Sequence, residues 1–158
     1  MNSATREISF NLNGQPAMSS VPVHMTALTM LRTQFELTGG KLACGEGQCG
    51  ACTILVDGDS VNGCLMLAVN CDGREVVTIE GLDSVDGLDV VQQAFVDNWA
   101  VQCGFCTAGM IMQTRYLLSR NPRPSEEEIK RAIEGNVCRC TGYRKIVDAI
   151  VAATEAPK

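Results

Sequence analysis

The fold is decided by residues 44–52, which read Cys44-Gly45-Glu46-Gly47-Gln48-Cys49-Gly50-Ala51-Cys52 and are followed by Cys64. The pattern is C-x4-C-x2-C-x11-C, and its first three cysteines have the spacing of a plant-type [2Fe–2S] loop. The three glycines allow positive φ angles, so the backbone can wrap closely around a cluster and turn its amides toward the sulfurs. The pattern predicts a [2Fe–2S] cluster ligated by Cys44, Cys49, Cys52 and Cys64. A structural zinc site is the alternative.

A second set of cysteines has the pattern C-x2-C-x31-C-x1-C and comprises Cys103, Cys106, Cys138 and Cys140. The first pair lies at the start of one predicted helix, and the second pair lies in a loop before a helix that begins near Tyr143. Helix N-termini favour thiolates and anionic clusters. Spacing alone leaves iron–sulfur and zinc both open here, although two thiolates with one residue between them would strain a tetrahedral zinc site.

Composition narrows the class of protein. The chain has 158 residues, nine cysteines, few aromatic residues and a net charge of −5 without a basic block, which argues against nucleic-acid binding. No apolar run is long enough to predict a transmembrane segment. Met1–Glu7 shows no export signal, so we expect a cytoplasmic, reducing location. An odd number of cysteines in such a compartment favours metal binding over disulfides.

The first half of the sequence predicts strands, turns and one helix. Apolar alternation in Ile8–Leu12, followed by Asn13-Gly14, predicts a β-hairpin. The other predicted elements are a strand over Ala17–Val21, a helix over Ala27–Leu37 with Thr26 as N-cap and Gly39-Gly40 at its end, and strands over Thr53–Val56 and Val76–Ile79.

The second half predicts four short helices. One apolar stripe comprises Leu88, Val91, Phe95 and Trp99. Another comprises Met110, Ile111, Thr114, Leu117 and Leu118. A third helix begins with a capping box of Ser125 and Glu128, and the last carries Ile146, Val147, Ile150 and Val151. The sequence therefore predicts an α+β chain of two domains, a strand-rich domain over residues 1–81 and a helical bundle over residues 82–158.

Three further residues are of types that can carry chemistry. Cys71 is interpreted as a small buried hydrophobic residue or a half-exposed thiol, and Met110 as a core residue. The sequence has no second histidine and no cysteine near His24, which predicts a surface position for this residue. The sequence contains no evident nucleophile–base pair, so we expect electron transfer and no catalytic residue on this chain.

Three motifs in order resemble the small iron–sulfur subunit of the molybdenum hydroxylases, the family of xanthine dehydrogenase, aldehyde oxidase and aerobic carbon monoxide dehydrogenase. They are residues 44–53, residues 102–107 (Gln-Cys-Gly-Phe-Cys-Thr) and residues 135–143 (Gly-Asn-Val-Cys-Arg-Cys-Thr-Gly-Tyr). The resemblance implies a plant-ferredoxin-like β-grasp domain with one [2Fe–2S] cluster, followed by a four-helix bundle with a second.

The resemblance also implies partners. Gln102 and the Cys140 region would contact a molybdopterin cofactor in a large subunit, and the Gly45–Gln48 loop would approach the electron acceptor. That acceptor would be an FAD-binding medium subunit or a cytochrome, in an assembly that is a dimer of heterotrimers. The implied function is electron relay from molybdenum to this acceptor. A free-standing two-cluster ferredoxin and a zinc-binding interaction module are the alternatives.

Overall fold

The computed structural model describes residues 4–83 and 87–155, which form five strands and five α-helices. The strands are β1 (Thr5–Leu12), β2 (Gln15–Pro22), β3 (Thr53–Val56), β4 (Asp59–Asn62) and β5 (Glu75–Val77). The helices are α1 (Ala27–Gln34), α2 (Val90–Asp97), α3 (Thr107–Arg120), α4 (Glu126–Ala132) and α5 (Arg144–Glu155). Within the described part of the chain, no helix is long and apolar enough to span a membrane.

The strands form one sheet in the order β2-β1-β5-β3-β4. β1 and β2 are an antiparallel hairpin in which Leu12 pairs with Gln15. The turn residues Asn13 and Gly14 have φ angles of 52° and 79°, as a two-residue hairpin turn requires, which confirms the predicted turn. β5 runs parallel to β1 and antiparallel to β3, so it joins the two hairpins into one sheet.

Helix α1 begins as predicted but ends earlier. The Thr26 hydroxyl accepts a hydrogen bond from the Thr29 amide at 3.2 Å, which confirms the N-cap. The prediction that the helix continues to Leu37 is wrong. Glu36 adopts a left-handed conformation (φ 57°), which stops the helix before Gly39-Gly40. The buried face of α1 comprises Ala27, Leu28, Met30 and Leu31.

The sheet differs from the sequence prediction at two strands. The predicted strand over Val76–Ile79 is wrong at its end, because the Thr78 amide donates to the Asn13 side chain at 2.8 Å instead of to a neighbouring strand. Residues 79–81 then form a 3₁₀ turn. Strand β4 was not predicted, since its sequence, Asp-Ser-Val-Asn, shows no apolar alternation. It pairs with β3 through a turn at Asp57-Gly58.

The second half contains helices α2 to α5 packed around one apolar core. The apolar residues with 2% exposure or less in this core are Val91, Phe95, Ala100, Met110, Ile129, Ile133, Ile146, Ala149 and Ile150. The burial of Met110 confirms its interpretation as a core residue. The expected stripe on α2 is wrong at both ends, because Leu88 and Trp99 lie outside the helix and are 48% and 80% exposed.

A separate core fills the space between the sheet and α1. Its apolar members with less than 3% exposure are Ile8, Val21, Ala27, Met30, Leu31, Ile54, Ala68, Cys71 and Val76. The two cores meet where α3 packs against β3. Gly109 on α3 lies so close to the Gly50 carbonyl that a β-carbon there would collide with it.

The N-terminus of α4 carries the predicted capping box. The Glu128 amide donates to the Ser125 hydroxyl at 3.3 Å, and the Ser125 amide donates to the Glu128 carboxylate at 2.7 Å. The reciprocal bonds satisfy two amides that the helix leaves unpaired. These bonds confirm the capping-box prediction.

Substitution Ser125→Ala should lower the free energy of unfolding by about 1 kcal/mol, because a helix N-cap contributes about this much. Chemical denaturation of the metal-loaded protein measures the change. Ser119→Ala is the matched control, since Ser119 makes one exposed bond to the Tyr116 carbonyl and caps no helix N-terminus. Equal stabilities of the Ser125 variant and the parent protein would contradict the prediction.

Candidate metal centres

The first set of cysteines lies in and after the loop between α1 and β3. Gly45, Gly47 and Gly50 have φ angles of 70°, 78° and 64°, so each takes the left-handed conformation that the sequence predicted. The Asn62 side chain donates to the Gly47 carbonyl at 3.1 Å and ties the loop to the end of β4. The sheet therefore holds this loop in its curved conformation before any metal group binds.

The four thiols of this first site lie together as two pairs. Cys44 and Cys49 are half-buried and share a thiol hydrogen bond, while Cys52 and Cys64 are buried and share another. The Cys49 thiol also lies close enough to Cys52 to affect its pKa electrostatically. The structure therefore brings together all four cysteines of the first predicted set.

Electrostatics differ between the two pairs. Hydrogen bonds from the Glu46 backbone, and then from the Cys49 side chain, lower the pKa of Cys44 to about 6. Burial raises the pKa of Cys52 to about 12. Loop hydrogen bonds thus prepare Cys44 for thiolate formation, whereas Cys52 requires a bound cation before it can ionise.

The second set also forms two pairs. Cys103 and Cys140 are exposed and share a thiol hydrogen bond, which raises the pKa of Cys140. Cys106 is half-buried and Cys138 is buried, and these two share a thiol hydrogen bond as well. The structure therefore brings together all four cysteines of the second predicted set.

The surroundings of Cys106 and Cys138, the less exposed pair of the second site, shift the pKa values of these two thiols in opposite directions. Burial raises the pKa of Cys106 to about 12. Burial is also the largest single influence on Cys138, but hydrogen bonds from the Thr141 side chain and from nearby amides outweigh it and lower the pKa. The Thr141 hydroxyl donates to the Cys138 sulfur at 3.1 Å. Cys138 is therefore the thiol of this pair that is prepared to ionise.

The paired arrangement decides which metal group fits. A tetrahedral zinc ion needs four ligands around one point. A [2Fe–2S] cluster has two irons that share four cysteines. Two thiol pairs at each site fit the binuclear cluster, and all nine cysteines are free thiols.

The remaining residues to which the sequence analysis assigned a position or a role lie at the surface or in the core. Gln102 is exposed beside Cys103, and most of the Gly45–Gln48 loop is exposed beside Cys44. His24 is exposed, as predicted. Cys71 is fully buried and its burial raises its pKa to about 11, which confirms its interpretation as a buried hydrophobic residue.

Two residues of the motif over residues 135–143 have structural roles at the second site that the sequence did not predict. The Tyr143 hydroxyl accepts from the Cys138 amide at 3.0 Å and lies 3.3 Å from the Asn136 carbonyl, to which it donates. The Asn136 side chain is buried and donates to the Gly50 carbonyl, 86 residues earlier in the chain, at 3.0 Å. The sequence carries no signal for either role, because it does not show which polar side chains of a ligand motif are buried or what they contact.

Comparison with known proteins assigns a family to each half of the chain. Residues 10–76 match the family described as "2Fe-2S iron-sulfur cluster binding domain", and residues 78–151 match the family described as "[2Fe-2S] binding domain". Both matches agree with the two cysteine sites. The chain therefore binds two [2Fe–2S] clusters.

Full-length relatives give the family of the whole chain. It is 48% identical to the nicotine 6-hydroxylase small subunit of Paenarthrobacter nicotinovorans, across 93% of this chain and 88% of that protein. It is 45% identical to the nicotinate dehydrogenase small FeS subunit of Eubacterium barkeri, across 94% of both. The chain belongs to the small iron–sulfur subunits of the molybdenum hydroxylase family. Its role is electron transfer within an oxidoreductase.

The fold agrees with this membership. A chain of the crystal structure of quinoline 2-oxidoreductase from Pseudomonas putida 86 superimposes with a TM-score of 0.93 at 44% identity. The match covers 96% of this iron–sulfur subunit and 94% of that chain. The similarity therefore extends over both cysteine sites and over the elements that carry them.

The pKa of Cys44 gives a test on the metal-free protein. Because that pKa is lowered to about 6 and the pKa values of Cys52 and Cys106 are raised to about 12, Cys44 is a thiolate at pH 7 and the other two are thiols. After cluster removal, iodoacetamide should modify Cys44 before Cys52 and Cys106, with a rate that rises as the pH passes 6. Mass spectrometry of the digested protein measures the order. Simultaneous modification of all three cysteines would contradict the prediction.

Proposed function

We propose that this subunit carries electrons from a molybdopterin centre in a large subunit, through its two clusters, to FAD or another acceptor. The observation that carries the proposal is the opposite exposure of the two thiol pairs at the second site. Cys103 and Cys140 are exposed, whereas Cys138 is buried and its neighbour Val137 donates to the Cys49 carbonyl of the first site at 2.9 Å. A relay needs such an arrangement, with one side of a cluster open to a partner and the other directed to the next cluster.

The surface around the exposed pair supports a partner at the second site. Gln102 is exposed next to Cys103, and the apolar side chains of Val101, Phe105 and Val137 are 39%, 47% and 54% exposed. Exposed apolar side chains around a functional group are typical of a surface covered by another protein. We propose that Gln102 and Cys140 face the molybdopterin from this surface.

A second exposed surface surrounds the first site. The Gly45–Gln48 loop lies beside Leu42 and Leu65, which are 61% and 55% exposed. The glycines there keep the loop backbone close to Cys44 and Cys49. We propose that this surface faces the acceptor, an FAD-binding subunit or a cytochrome, and that Cys44, Cys49, Cys52 and Cys64 ligate the nearer cluster.

The clusters and the residues that hold them have different roles in the relay. When bound, the clusters supply one-electron carriers, which divide the two electrons of a molybdenum couple into single steps. The chain's own residues hold the clusters, donate hydrogen bonds to sulfur and exclude water, and these interactions set the reduction potentials. We assign Cys103, Cys106, Cys138 and Cys140 as the ligands of the cluster nearer molybdenum.

We also propose that the chain comprises two domains, residues 1–81 and residues 82–158. The separate apolar cores support this division. A sheet of order β2-β1-β5-β3-β4 with α1 packed on it has the form of a ferredoxin-like β-grasp domain, and α2 to α5 have the form of a four-helix bundle. Residues 84–86, just after the proposed boundary, lie outside the described part of the chain.

The assembly and its location are further parts of the proposal. Nine free thiols favour a reducing compartment, so we propose a cytoplasmic complex. We propose a dimer of heterotrimers made from the large, medium and small subunits. Relatives at 44–48% identity are named for three different substrates, nicotine, nicotinate and quinoline. We infer that the large subunit selects the substrate.

The alternative of a freely diffusing ferredoxin is tested by the state of the native protein. Gel filtration of the protein from its own cells should show co-elution with a molybdenum-containing partner, because the exposed apolar surfaces at both sites need covering. A lone species of the chain's own mass, 16.9 kDa, that contains iron would favour the free carrier instead.

Ligand substitution tests the cluster assignment. In the reduced complex, Cys138→Ser should abolish one of two paramagnetic signals in electron paramagnetic resonance (EPR) and leave the other, since each cluster has its own four ligands. Cys71→Ala is the control and should leave both signals intact, because Cys71 lies in the core of the sheet. Survival of both signals in the Cys138 variant, or zinc without acid-labile sulfide, would overturn the assignment.

A further inference from the structure

The two cysteine sites are joined by a backbone hydrogen bond. The Val137 amide donates to the Cys49 carbonyl at 2.9 Å. Cys49 belongs to the first site, and Val137 is covalently bonded to Cys138 of the second. A route from one set of sulfurs to the other therefore runs along covalent bonds except for a single hydrogen-bonded step.

The residue before Val137 fixes the geometry of that step. Asn136 is 3% exposed, and its side-chain amide donates to the Gly50 carbonyl at 3.0 Å and lies 3.4 Å from the Thr53 hydroxyl. The Thr53 hydroxyl donates to the same Gly50 carbonyl at 2.7 Å. Two side chains from different halves of the molecule thus hold one carbonyl, which belongs to the residue after Cys49.

Asn136 is also tied to the second site. Its carbonyl accepts from the Tyr143 hydroxyl, which in turn accepts from the Cys138 amide. A displacement of Asn136 would therefore be transmitted to Cys138 as well as to Gly50. The residue connects the ligand loops of both sites through different atoms.

Close backbone approach at this contact depends on two glycines. A β-carbon on Gly50 would collide with the Asn136 side chain, and one on Gly109 would collide with the Gly50 carbonyl. Gly50 also has a positive φ of 64°. The contact is therefore tightly packed, and a small change in side-chain size or hydrogen bonding there moves one ligand loop relative to the other.

We propose that Asn136 is a positioning residue for electron transfer between the two clusters, which holds the Cys49 and Cys138 loops so that the Val137–Cys49 hydrogen bond forms. The inference rests on the proposed relay through two clusters. Electron transfer between cofactors slows steeply when a bonded route is replaced by a gap. The Asn136 amide keeps that gap to the length of one hydrogen bond.

The test uses the complete enzyme complex with Asn136→Leu, which keeps side-chain size and removes the donor. Both clusters should assemble and each should keep its own EPR signal. Electron equilibration between them after rapid reduction should slow several-fold, because the hydrogen-bonded step of the route lengthens into a through-space gap. The magnetic splitting between the two reduced clusters should also decrease.

A control variant separates this role from the loss of any side-chain amide that donates to a backbone carbonyl. Asn98→Leu makes the same substitution at a half-buried residue just after α2, whose side-chain amide donates to the Ala94 carbonyl at 2.9 Å. That variant should keep the parent rate and the parent splitting. An equal slowing in both variants would show a general effect of stability and would overturn the proposal.

Two other results also decide against the proposal. An Asn136→Leu complex with the parent rate and splitting would show that Asn136 does not set the coupling. Loss of a whole cluster would show a role in assembly instead. If Asn136→Leu does not fold, Thr53→Val removes the second donor to the Gly50 carbonyl, and the same rate and splitting are measured.

The measurements distinguish a failure of the proposed relay from a failure of the positioning role of Asn136. Its failure would appear in the parent complex, as fewer than two reduced-state signals or as clusters that are not reduced by substrate. A parent complex with two substrate-reducible clusters and an unaffected Asn136 variant would leave the relay intact and exclude the positioning role.

Discussion

The structure depends on how the polypeptide offsets the charge of four thiolates held close together. Ionising such a group in a protein interior is unfavourable unless hydrogen-bond donors and a metal compensate it. The first site meets this constraint with backbone, since the positive φ angles at its glycines turn the loop around Cys44, whose pKa falls to about 6 through loop hydrogen bonds. The second site meets it with the Thr141 hydroxyl, which donates to the Cys138 sulfur, together with nearby backbone amides.

The sequence predicted the structural features that depend on a few adjacent residues. The spacing of Cys44, Cys49 and Cys52 identified a cluster loop, and Asn13-Gly14 identified a hairpin, because both depend on a few adjacent residues. The end of α1 was mispredicted since a left-handed Glu36 stops the helix before the glycines do. Strand β4 was missed because its pairing with β3, rather than any apolar pattern of its own, makes it a strand.

The relation between the two sites could not be predicted in the same way. Asn136 and Gly50 meet across 86 residues, and nothing in either local sequence shows that a buried amide will reach a carbonyl in another half of the chain. The exposure of Cys103 beside the burial of Cys138 also follows from tertiary packing. Cysteine spacing predicted which cysteines form each site, whereas only the fold shows which thiols of a site are exposed and which are buried.

That orientation has a consequence for how the family can serve different substrates. The buried side of the second site is fixed by contacts within the chain, through Asn136, Tyr143 and Val137. Its exposed side, at Cys103 and Cys140, depends on whatever protein covers it. In the relay proposed above, the coupling between clusters is internal, so a large subunit could change its substrate pocket without altering the relay. Relatives named for nicotine, nicotinate and quinoline chemistry can therefore share small subunits that are alike along nearly their whole length.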